Sequence, residues 1–278
     1  MELKLNRCMI HKTNKKIINE LKSIGYCKIE NFLSSEQIKE LDNNWNSILS
    51  TAIKQQVRDE LLHQNVAKNS TSELYKKDGK WDLWKSHYIL IQSELGRKYI
   101  KAVESLMQQI NPDLIYMKDR IMNQGPETKG HMPHQDTSSG QDAFYEKFTT
   151  GELYTMYISL TDTNQDNGCL WLEETTQRRS NRLGYCDNGC VKGNTCLCTN
   201  WEHKSEKIKF YNGHIMKPMP QKSGDAVIFD GYALHGTGKN ITNTTRKTVL
   251  IMYAVPKPEF KHIDKNKFWE YTRGNTDA

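Results

Sequence analysis

Apolar residues recur at helical spacing in the N-terminal part of the chain. In the clearest segment they form one face, at Ile38, Leu41, Trp45 and Ile48-Leu49. Ser34 or Ser35 can cap this segment, because a serine oxygen accepts a free amide hydrogen at a helix start, and the pattern predicts a helix from there to about Ala52. Two other segments, 14–23 and 94–109, have the same character and are also predicted to be helical.

The pattern becomes strand-like from Leu114 onward. Short apolar runs alternate there with turns rich in glycine, proline and asparagine, which is typical of a jelly-roll barrel. One earlier strand is predicted at 25–30. We therefore expect a mainly β (α+β) protein with flanking N-terminal helices. It would form a single domain over 1–278, with a helical part at 14–110 and a jelly-roll core at 114–255.

Two histidines and an aspartate form a candidate metal site. His134 and Asp136 are separated by one residue, and in an extended strand residues i and i+2 point to the same side. A third ligand must come from another strand, and His235 follows the apolar run 226–229. Two imidazoles and one carboxylate are the ligand set that holds non-haem Fe(II) and leaves other positions open. The pattern predicts that these three residues bind iron.

Arg246 lies shortly after His235 and opens the apolar strand 247–253. A guanidinium at this place can form two parallel hydrogen bonds with a carboxylate. A metal triad combined with a carboxylate-binding arginine describes an iron oxygenase that uses 2-oxoglutarate.

Four fragments extend the pattern beyond the triad. They are GYCKIENFLS at 25–34, HMPHQD at 131–136, NGCLWL at 167–172, and HGT at 235–237 followed by Arg246. In this order they resemble the phytanoyl-CoA dioxygenase family, which also includes ectoine hydroxylase. The resemblance runs from about Gly25 to about Tyr253, most of the chain. It implies a double-stranded β-helix, the cupin-like form of the jelly roll.

The resemblance implies an Fe(II)- and 2-oxoglutarate-dependent dioxygenase, with O2 as a further cosubstrate. Such an enzyme decarboxylates 2-oxoglutarate to succinate and CO2 while it oxidises its substrate. Asp136 favours hydroxylation or another oxidation, because halogenating relatives lack this carboxylate and bind halide instead. The expected substrate is a small polar metabolite or a natural-product intermediate, and the expected outcome is hydroxylation.

The resemblance also assigns residues to the cosubstrate. Arg246 is expected to pair with the C5 carboxylate of 2-oxoglutarate, and Thr237 to place a hydroxyl beside it. Further expected pocket residues are Tyr157, Gln135, Asn123, Arg120 and Lys85. Tyr157 has the alternative role of a barrel-core aromatic, and Gln135 that of pointing away from the ligands. His131 is out of phase with the ligands and is expected behind them or in a loop.

Two segments depart from the family pattern. Thr-Thr-Gln-Arg at 175–178 replaces a common Gly-Ser/Thr-His-Lys/Arg sequence, and Pro133 replaces a frequent tryptophan. Both changes affect the substrate side rather than the iron. The substrates of the family are therefore not carried over to this chain.

Four of the seven cysteines lie close together, at Cys186, Cys190, Cys196 and Cys198. Four thiolates can bind structural zinc, but this spacing matches no standard ribbon or knuckle. Free thiols are one alternative, and disulfides, less favoured in a reducing compartment, are another. The cluster falls in a segment, about 181–212, that is expected to be an insertion between barrel strands, and we hypothesise that it closes over the substrate.

Charge and composition limit the partners. The formal net charge is +6 and the lysines are scattered, so we expect a solvated basic surface and no nucleic-acid partner. No apolar run approaches the roughly 20 residues that span a bilayer, and the first residues lack a signal-peptide stretch. We expect a cytoplasmic protein with a small-molecule substrate and no membrane partner. Nothing in the sequence indicates an oligomeric state.

Two other functions stay open at the level of sequence. The barrel could be catalytically silent and bind a ligand or a protein, although such a module has no need of a complete triad and the arginine. The cysteines could instead form a zinc module through which an oxygenase acts on a macromolecule. Lys192 and Lys204 alone would make a poor phosphate-binding groove for that purpose.

Overall fold

The computed structural model describes the chain over 7–44, 46–47, 72–77, 80–88, 90–128, 130–131, 133–137, 147–175, 177–180, 208–209 and 214–274. Trp45 and the part of the second predicted helix beyond residue 47 lie outside these ranges. So do the four clustered cysteines Cys186, Cys190, Cys196 and Cys198, together with most of the predicted insertion that contains them.

Two of the described helices begin at a serine cap. Their bounds are α1 Arg7–Ile24, α2 35–44, α3 Glu94–Ile110 and α4 Phe268–Gly274. At α2 the Gln37 amide donates to the Ser34 hydroxyl (3.3 Å) and the Ser34 amide donates to the Gln37 side chain (2.9 Å), a reciprocal capping box. At α3 the Gly96 amide donates to the Ser93 hydroxyl at 2.9 Å. All three predicted helices are present, and α1 begins before the predicted residue 14.

The strands form two antiparallel sheets. Their bounds are β1 Tyr26–Ile29, β2 Ser72–Lys77, β3 Lys80–His87, β4 Ile115–Gln124, β5 Thr149–Ser159, β6 Leu170–Glu173, β7 Ile208–Lys209, β8 Ile215–Met219, β9 Ala226–Asp230, β10 His235–Thr237 and β11 Arg246–Pro256. The larger sheet has the order β1-β9-β5-β11-β4-β3-β2, and the smaller sheet has the order β10-β6-β8-β7. Neighbours that are distant in the chain, such as β5 and β11, are characteristic of the predicted jelly-roll barrel.

Strand β11 is buried on both faces. Val249 and Ile251 pack with α1 and α3 on the outer face of the larger sheet. Thr248 and Leu250 alternate with them and line a pocket between the sheets. A strand that is covered on both faces favours apolar residues at consecutive positions, which explains the mainly apolar sequence from 247 to 253.

A small apolar cluster joins the two sheets. Its members are Tyr157, Leu170, Leu172, Val227, Phe229 and Ala233. Because it combines side chains of β5 and β9 with side chains of β6, the two sheets face each other across it. It forms one wall of the space in which the candidate ligands meet.

The N-terminal part is not wholly helical. The predicted strand at 25–30 is confirmed as β1, which pairs with β9. The segment 72–87 forms the hairpin strands β2 and β3 at the other end of the larger sheet, so the prediction of a helical 14–110 is wrong there.

Within the described residues, no helix combines the length and the apolar character needed to cross a membrane. Of the predicted insertion, only 208–209 is described, and it forms the short strand β7 paired with β8.

Candidate active site

Three metal-binding side chains meet between the sheets. The ligand atoms of His134, Asp136 and His235 all lie within 4.8 Å of one another. Asp136 Oδ1 is 3.7 Å from His134 Nε2 and 3.6 Å from His235 Nε2. A single ion can therefore reach all three donors. The structure brings together the three residues that the sequence selected.

Backbone pairing positions the two histidines. The His134 amide donates to the His235 carbonyl at 2.8 Å, and the His235 amide donates to the His134 carbonyl at 2.9 Å. His235 is held in turn by β10, in register with Leu172 of β6. This pairing brings the 131–136 fragment beside β10, although the two segments are far apart in sequence.

In two of the three ligands, the polar atom that faces away from the other ligands is hydrogen-bonded to a neighbouring residue. His235 Nδ1 lies 3.0 Å from the Ala233 carbonyl, so Nδ1 carries the proton and Nε2 is left as a lone-pair donor. The Thr155 hydroxyl donates to Asp136 Oδ2 at 2.6 Å, which leaves Oδ1 toward the histidines. The arrangement orients Nε2 and Oδ1 to one point, and the donor set fits Fe(II).

The charge of Asp136 is maintained despite its burial. Burial alone would raise its pKa, but His235, His134, the Thr155 hydroxyl and Arg120 together lower the pKa below its ordinary value. The carboxylate is therefore ionised at neutral pH, as a metal ligand must be.

Arg246 is buried at the start of β11 and lines the pocket. Its Nη1 donates to the Tyr157 hydroxyl at 2.9 Å, and its Nε has no hydrogen-bond partner among the described residues. Burial raises the pKa of Tyr157 although the Arg246 charge opposes this, so the phenol stays protonated. A carboxylate would satisfy the remaining guanidinium donors.

Gln124, Thr237 and His131 add polar groups to the pocket lining. Gln124 is buried in register with Arg246, and both polar atoms of its amide have no partner among the described residues. The Thr237 hydroxyl accepts from the His131 amide at 2.9 Å. His131 lies outside helices and strands, which agrees with the loop alternative of the sequence analysis, and it also lines the pocket.

Two predicted cosubstrate residues, Gln135 and Asn123, do not line the pocket. Gln135 turns its amide to the Tyr232 carbonyl at 2.7 Å and is not a lining residue. Asn123 lies one residue out of phase with Gln124 and Arg120, so it belongs to the opposite face of β4. Lys85 stays a prediction, and its backbone pairs with Glu73 on one side and with Met122, a lining residue, on the other.

The Asn-Gly-Cys fragment is a structural turn. The Asn167 amide donates to the Asn164 side chain at 3.0 Å, and the Asn167 side chain accepts from the Asn164 amide at 2.8 Å. Gly168 has φ +79°, and a Cβ there would lie 2.2 Å from the Gly238 carbonyl oxygen. The following Cys169 is a buried free thiol whose pKa burial raises to about 12. The fragment thus holds β6 beside the chain that follows β10.

The segment that departs from the family sequence after β6 is held by ion pairs. Arg178 pairs with the buried Asp230 of β9. Arg179 pairs with Glu173, and His214 Nδ1 lies 2.7 Å from the same carboxylate. The sequence does not indicate that residues 173, 179 and 214 are in contact, because only the folded sheets bring them together.

The pocket between the two sheets, together with the solvent-filled space at its mouth, measures about 430 Å³. Its lining combines apolar side chains, such as Met122, Leu170 and Phe229, with the three ligands and two arginines. The site is suited to a small molecule with charged ends.

The sequence model of the family described as phytanoyl-CoA dioxygenase (PhyH) matches residues 21–248. Because the match covers well over half of the chain, the chain belongs to the phytanoyl-CoA dioxygenase family of Fe(II)- and 2-oxoglutarate-dependent dioxygenases.

Two characterised relatives are similar to the chain in sequence. Methylphosphonate hydroxylase of Gimesia maris is 28% identical over 142 residues, which cover 51% of this chain and 45% of that protein. 2-Aminoethylphosphonate dioxygenase of the uncultured bacterium HF130_AEPn_1 is 23% identical over 236 residues, covering 74% of this chain and 77% of that protein. The alignment therefore spans less than half of the first relative and about three quarters of the second.

Several solved structures share the fold. The epimerase SnoN, in complex with Fe3+, α-ketoglutarate and nogalamycin RO, has a TM-score of 0.57 at 15% identity and covers 87% of this chain and 84% of its own. EctD of S. alaskensis has a TM-score of 0.57 at 13% identity, covering 86% and 76%. EvdO2 of Micromonospora carbonacea var. aurantiaca has 0.56 at 14%, covering 87% and 91%. These similarities confirm the predicted double-stranded β-helix.

Proposed function

We propose that this protein is an Fe(II)/2-oxoglutarate-dependent oxygenase that hydroxylates a small polar metabolite or a natural-product intermediate. His134, Asp136 and His235 would be the iron ligands. The observation that carries the proposal is the convergence of these donor atoms within 4.8 Å, next to a buried arginine. When bound, the iron would supply the oxygen chemistry that couples decarboxylation of 2-oxoglutarate to succinate and CO2 with oxidation of the substrate.

Arg246 would bind the C5 carboxylate of 2-oxoglutarate. Its unpartnered Nε supports this role, as does the Tyr157 hydroxyl, which already fixes one end of the guanidinium. Gln124 lies in register with Arg246, and Thr237 also lines the pocket, so an amide and a hydroxyl are available to the same carboxylate. Gln124 replaces Gln135 and Asn123 as the amide that we assign to the cosubstrate.

The protein's own residues would orient the reactants and exclude water. The Ala233 carbonyl fixes the His235 tautomer, and Thr155 fixes the carboxylate oxygen that faces the metal. Phe229 packs on the His235 ring with centroids 4.3 Å apart, which keeps solvent from that side. Such positioning supplies much of the rate advantage of an enclosed site.

Small phosphonates are one substrate group to test. Both sequence relatives carry phosphonates in their names, as methylphosphonate hydroxylase and 2-aminoethylphosphonate dioxygenase. A cytoplasmic location is proposed because reduced iron and 2-oxoglutarate are intracellular reagents. Zinc binding by the clustered cysteines stays a prediction, since Cys186, Cys190, Cys196 and Cys198 lie outside the described residues.

Succinate formation tests the proposal. Purified protein with Fe(II), ascorbate, O2 and 2-oxoglutarate should form succinate, and a substrate should accelerate it. His134→Ala should reduce the rate by at least about 100-fold, because a metal ligand is lost. His262→Ala, at an exposed position, is the matched control and should leave the rate unchanged. Equal succinate formation by His134→Ala and the unchanged protein would refute the proposal, and failure to bind Fe(II) would favour a catalytically silent binding barrel.

A further inference from the structure

Arg120 is a second arginine in the same pocket. It lies on β4, lines the pocket with the three ligands, and is half-buried. Its Nε is buried without a hydrogen-bond partner among the described residues. A buried guanidinium donor without a protein partner is uncommon, because leaving it unsatisfied costs about 1–3 kcal/mol or more. The side chain therefore has unused capacity to bind an acceptor.

The backbones of Arg120 and Arg246 lie at different positions along the paired strands β4 and β11. Arg246 is in register with Gln124, whereas Arg120 is in register with Leu250. Positions 120 and 124 are four residues apart on one strand, so their Cα atoms are separated by about 13 Å. The five-carbon chain of 2-oxoglutarate spans less than about 6 Å. One carboxylate of the cosubstrate would go to the metal and the other to Arg246, which leaves none for Arg120.

Arg120 lines the pocket together with the three metal ligands His134, Asp136 and His235. Asp136 does not pair with it directly among the described contacts, since the carboxylate is engaged by Thr155 and faces the two histidines. The Arg120 guanidinium thus lies in the pocket that holds the ligands, and no salt bridge among the described contacts occupies it.

The charges in the pocket point to an anion. Apart from the three ligands, the charged side chains of the described lining are the two arginines. With a divalent ion, one aspartate, two arginines and a dianionic 2-oxoglutarate, the site retains a positive charge. A partly buried, unpaired charge is costly, so the remaining reactant is expected to supply the compensating negative charge.

We propose that Arg120 binds an anionic group of the primary substrate, a phosphonate or a carboxylate, through parallel hydrogen bonds from its guanidinium. This inference rests on the proposed oxygenase function and narrows its substrate class. The planar guanidinium matches the oxygen geometry of both groups. Anchored there, the substrate presents a neighbouring C–H bond to the metal ligands, while Arg246 retains the cosubstrate.

Anaerobic calorimetric titration tests this assignment without turnover. The protein is first loaded with Fe(II) and 2-oxoglutarate, and both binding steps are recorded. The probes are methylphosphonate, 2-aminoethylphosphonate and its carboxylate counterpart 3-aminopropanoate, with uncharged dimethyl methylphosphonate as the comparison. The variants are Arg120→Gln, which keeps a polar side chain, Arg120→Lys, which keeps the charge, and Arg97→Gln, an exposed arginine on α3, as the matched control.

We expect at least one anionic probe to bind the loaded protein and the uncharged ester not to bind. Arg120→Gln should weaken that binding by at least about tenfold, Arg120→Lys should restore part of it, and Arg97→Gln should not change it. The affinity of Arg120→Gln for 2-oxoglutarate should stay within about threefold of the original. Phosphonates and the carboxylate probe, compared with each other, identify the preferred anion.

Four results would overturn the assignment. One is equal binding of the anions by the unchanged protein and Arg120→Gln, and another is no binding of any anionic probe to the loaded protein. The third is binding of the uncharged ester as tight as that of the anion. The fourth is a parallel loss of Fe(II) binding and 2-oxoglutarate binding in Arg120→Gln. Failure of the unchanged protein to bind Fe(II) and 2-oxoglutarate would show earlier, in the loading steps, and would refute the proposed function as well.

Discussion

At the scale of single residues, the candidate site depends on side chains that hold the ligands as much as on the ligands. One carboxylate oxygen of Asp136 accepts a hydrogen bond from Thr155, and one ring nitrogen of His235 donates to the Ala233 carbonyl. The other oxygen and the other nitrogen are directed to the common centre. The sequence was sufficient to select the triad and Arg246 because their spacing is characteristic. It gave no indication of Thr155, because a threonine in an apolar strand has no pattern of its own.

Thr155→Val should weaken Fe(II) binding by about tenfold or more, because groups that orient metal ligands typically contribute 10–100-fold to affinity. Valine has nearly the same shape but cannot donate to Asp136 Oδ2. Thr155→Ser keeps the hydroxyl and should bind Fe(II) nearly as tightly as the unchanged protein. The dissociation constants are measured anaerobically. Identical affinities in all three proteins would show that the hydroxyl does not support the site.

Arg246→Gln should weaken 2-oxoglutarate binding by about 100-fold, since charge-assisted hydrogen bonds contribute about 1.5–3 kcal/mol. Arg246→Lys should recover only part of the affinity, because an ammonium cannot form the bidentate contact. The KM for 2-oxoglutarate and the calorimetric affinity both report this change. An unaltered KM in Arg246→Gln would place the C5 carboxylate elsewhere in the pocket.

At the scale of elements, strand existence was more predictable than strand phase. Strand β11 is predictable because its sequence is a continuous apolar run. Such a run does not reveal which residues face the helices and which face the pocket. Asn123 was therefore chosen on β4 where Gln124 faces the pocket. The phase of β4 is set by its pairing with β11, which shifts register between Met252 and Tyr253, and such irregularities are tertiary features.

Gly168→Ala should destabilise the protein by about 3 kcal/mol, because the left-handed conformation costs 1–2 kcal/mol for an L residue and the added Cβ would meet a backbone carbonyl. Gly151→Ala is the matched comparison. Its φ is also positive, at +88°, but the nearest atom to its Cβ is 3.3 Å away, so a loss of about 1 kcal/mol is expected. Urea unfolding of both variants measures the difference. Equal losses would mean that the close approach to Gly238 is unimportant.

At the scale of the whole molecule, the barrel is closed by interactions between residues far apart in the chain. Glu173 is the last residue of β6, Arg179 lies beyond it and His214 precedes β8, and the three side chains meet in one cluster. The fold class and the order of motifs were predictable from sequence because they depend on local patterns and family likeness. This cluster was not, since each member alone looks like an ordinary polar residue.

Stability should fall on acidification partly through Glu173. Burial opposes its charge, but hydrogen bonds from Arg179 and His214 hold its pKa below the ordinary 4.5. A lowered folded pKa means that the stabilisation is complete above about pH 4.5 and is lost as the pH falls through the folded value. Glu173→Gln should be less stable by about 2 kcal/mol at pH 7, because it leaves Arg179 partly buried without its partner. Its unfolding free energy should also fall less steeply below pH 4.5. Parallel pH profiles for the two proteins would rule out this contribution.

The most direct test of the central claim is anaerobic equilibrium dialysis against Fe(II). The unchanged protein should bind one ion per chain, and His235→Ala and Asp136→Ala should each bind at least about 100-fold more weakly because one of three ligands is lost. His262→Ala should bind normally. Full-affinity binding by the ligand variants, or no binding by the unchanged protein, would contradict an iron site at His134, Asp136 and His235.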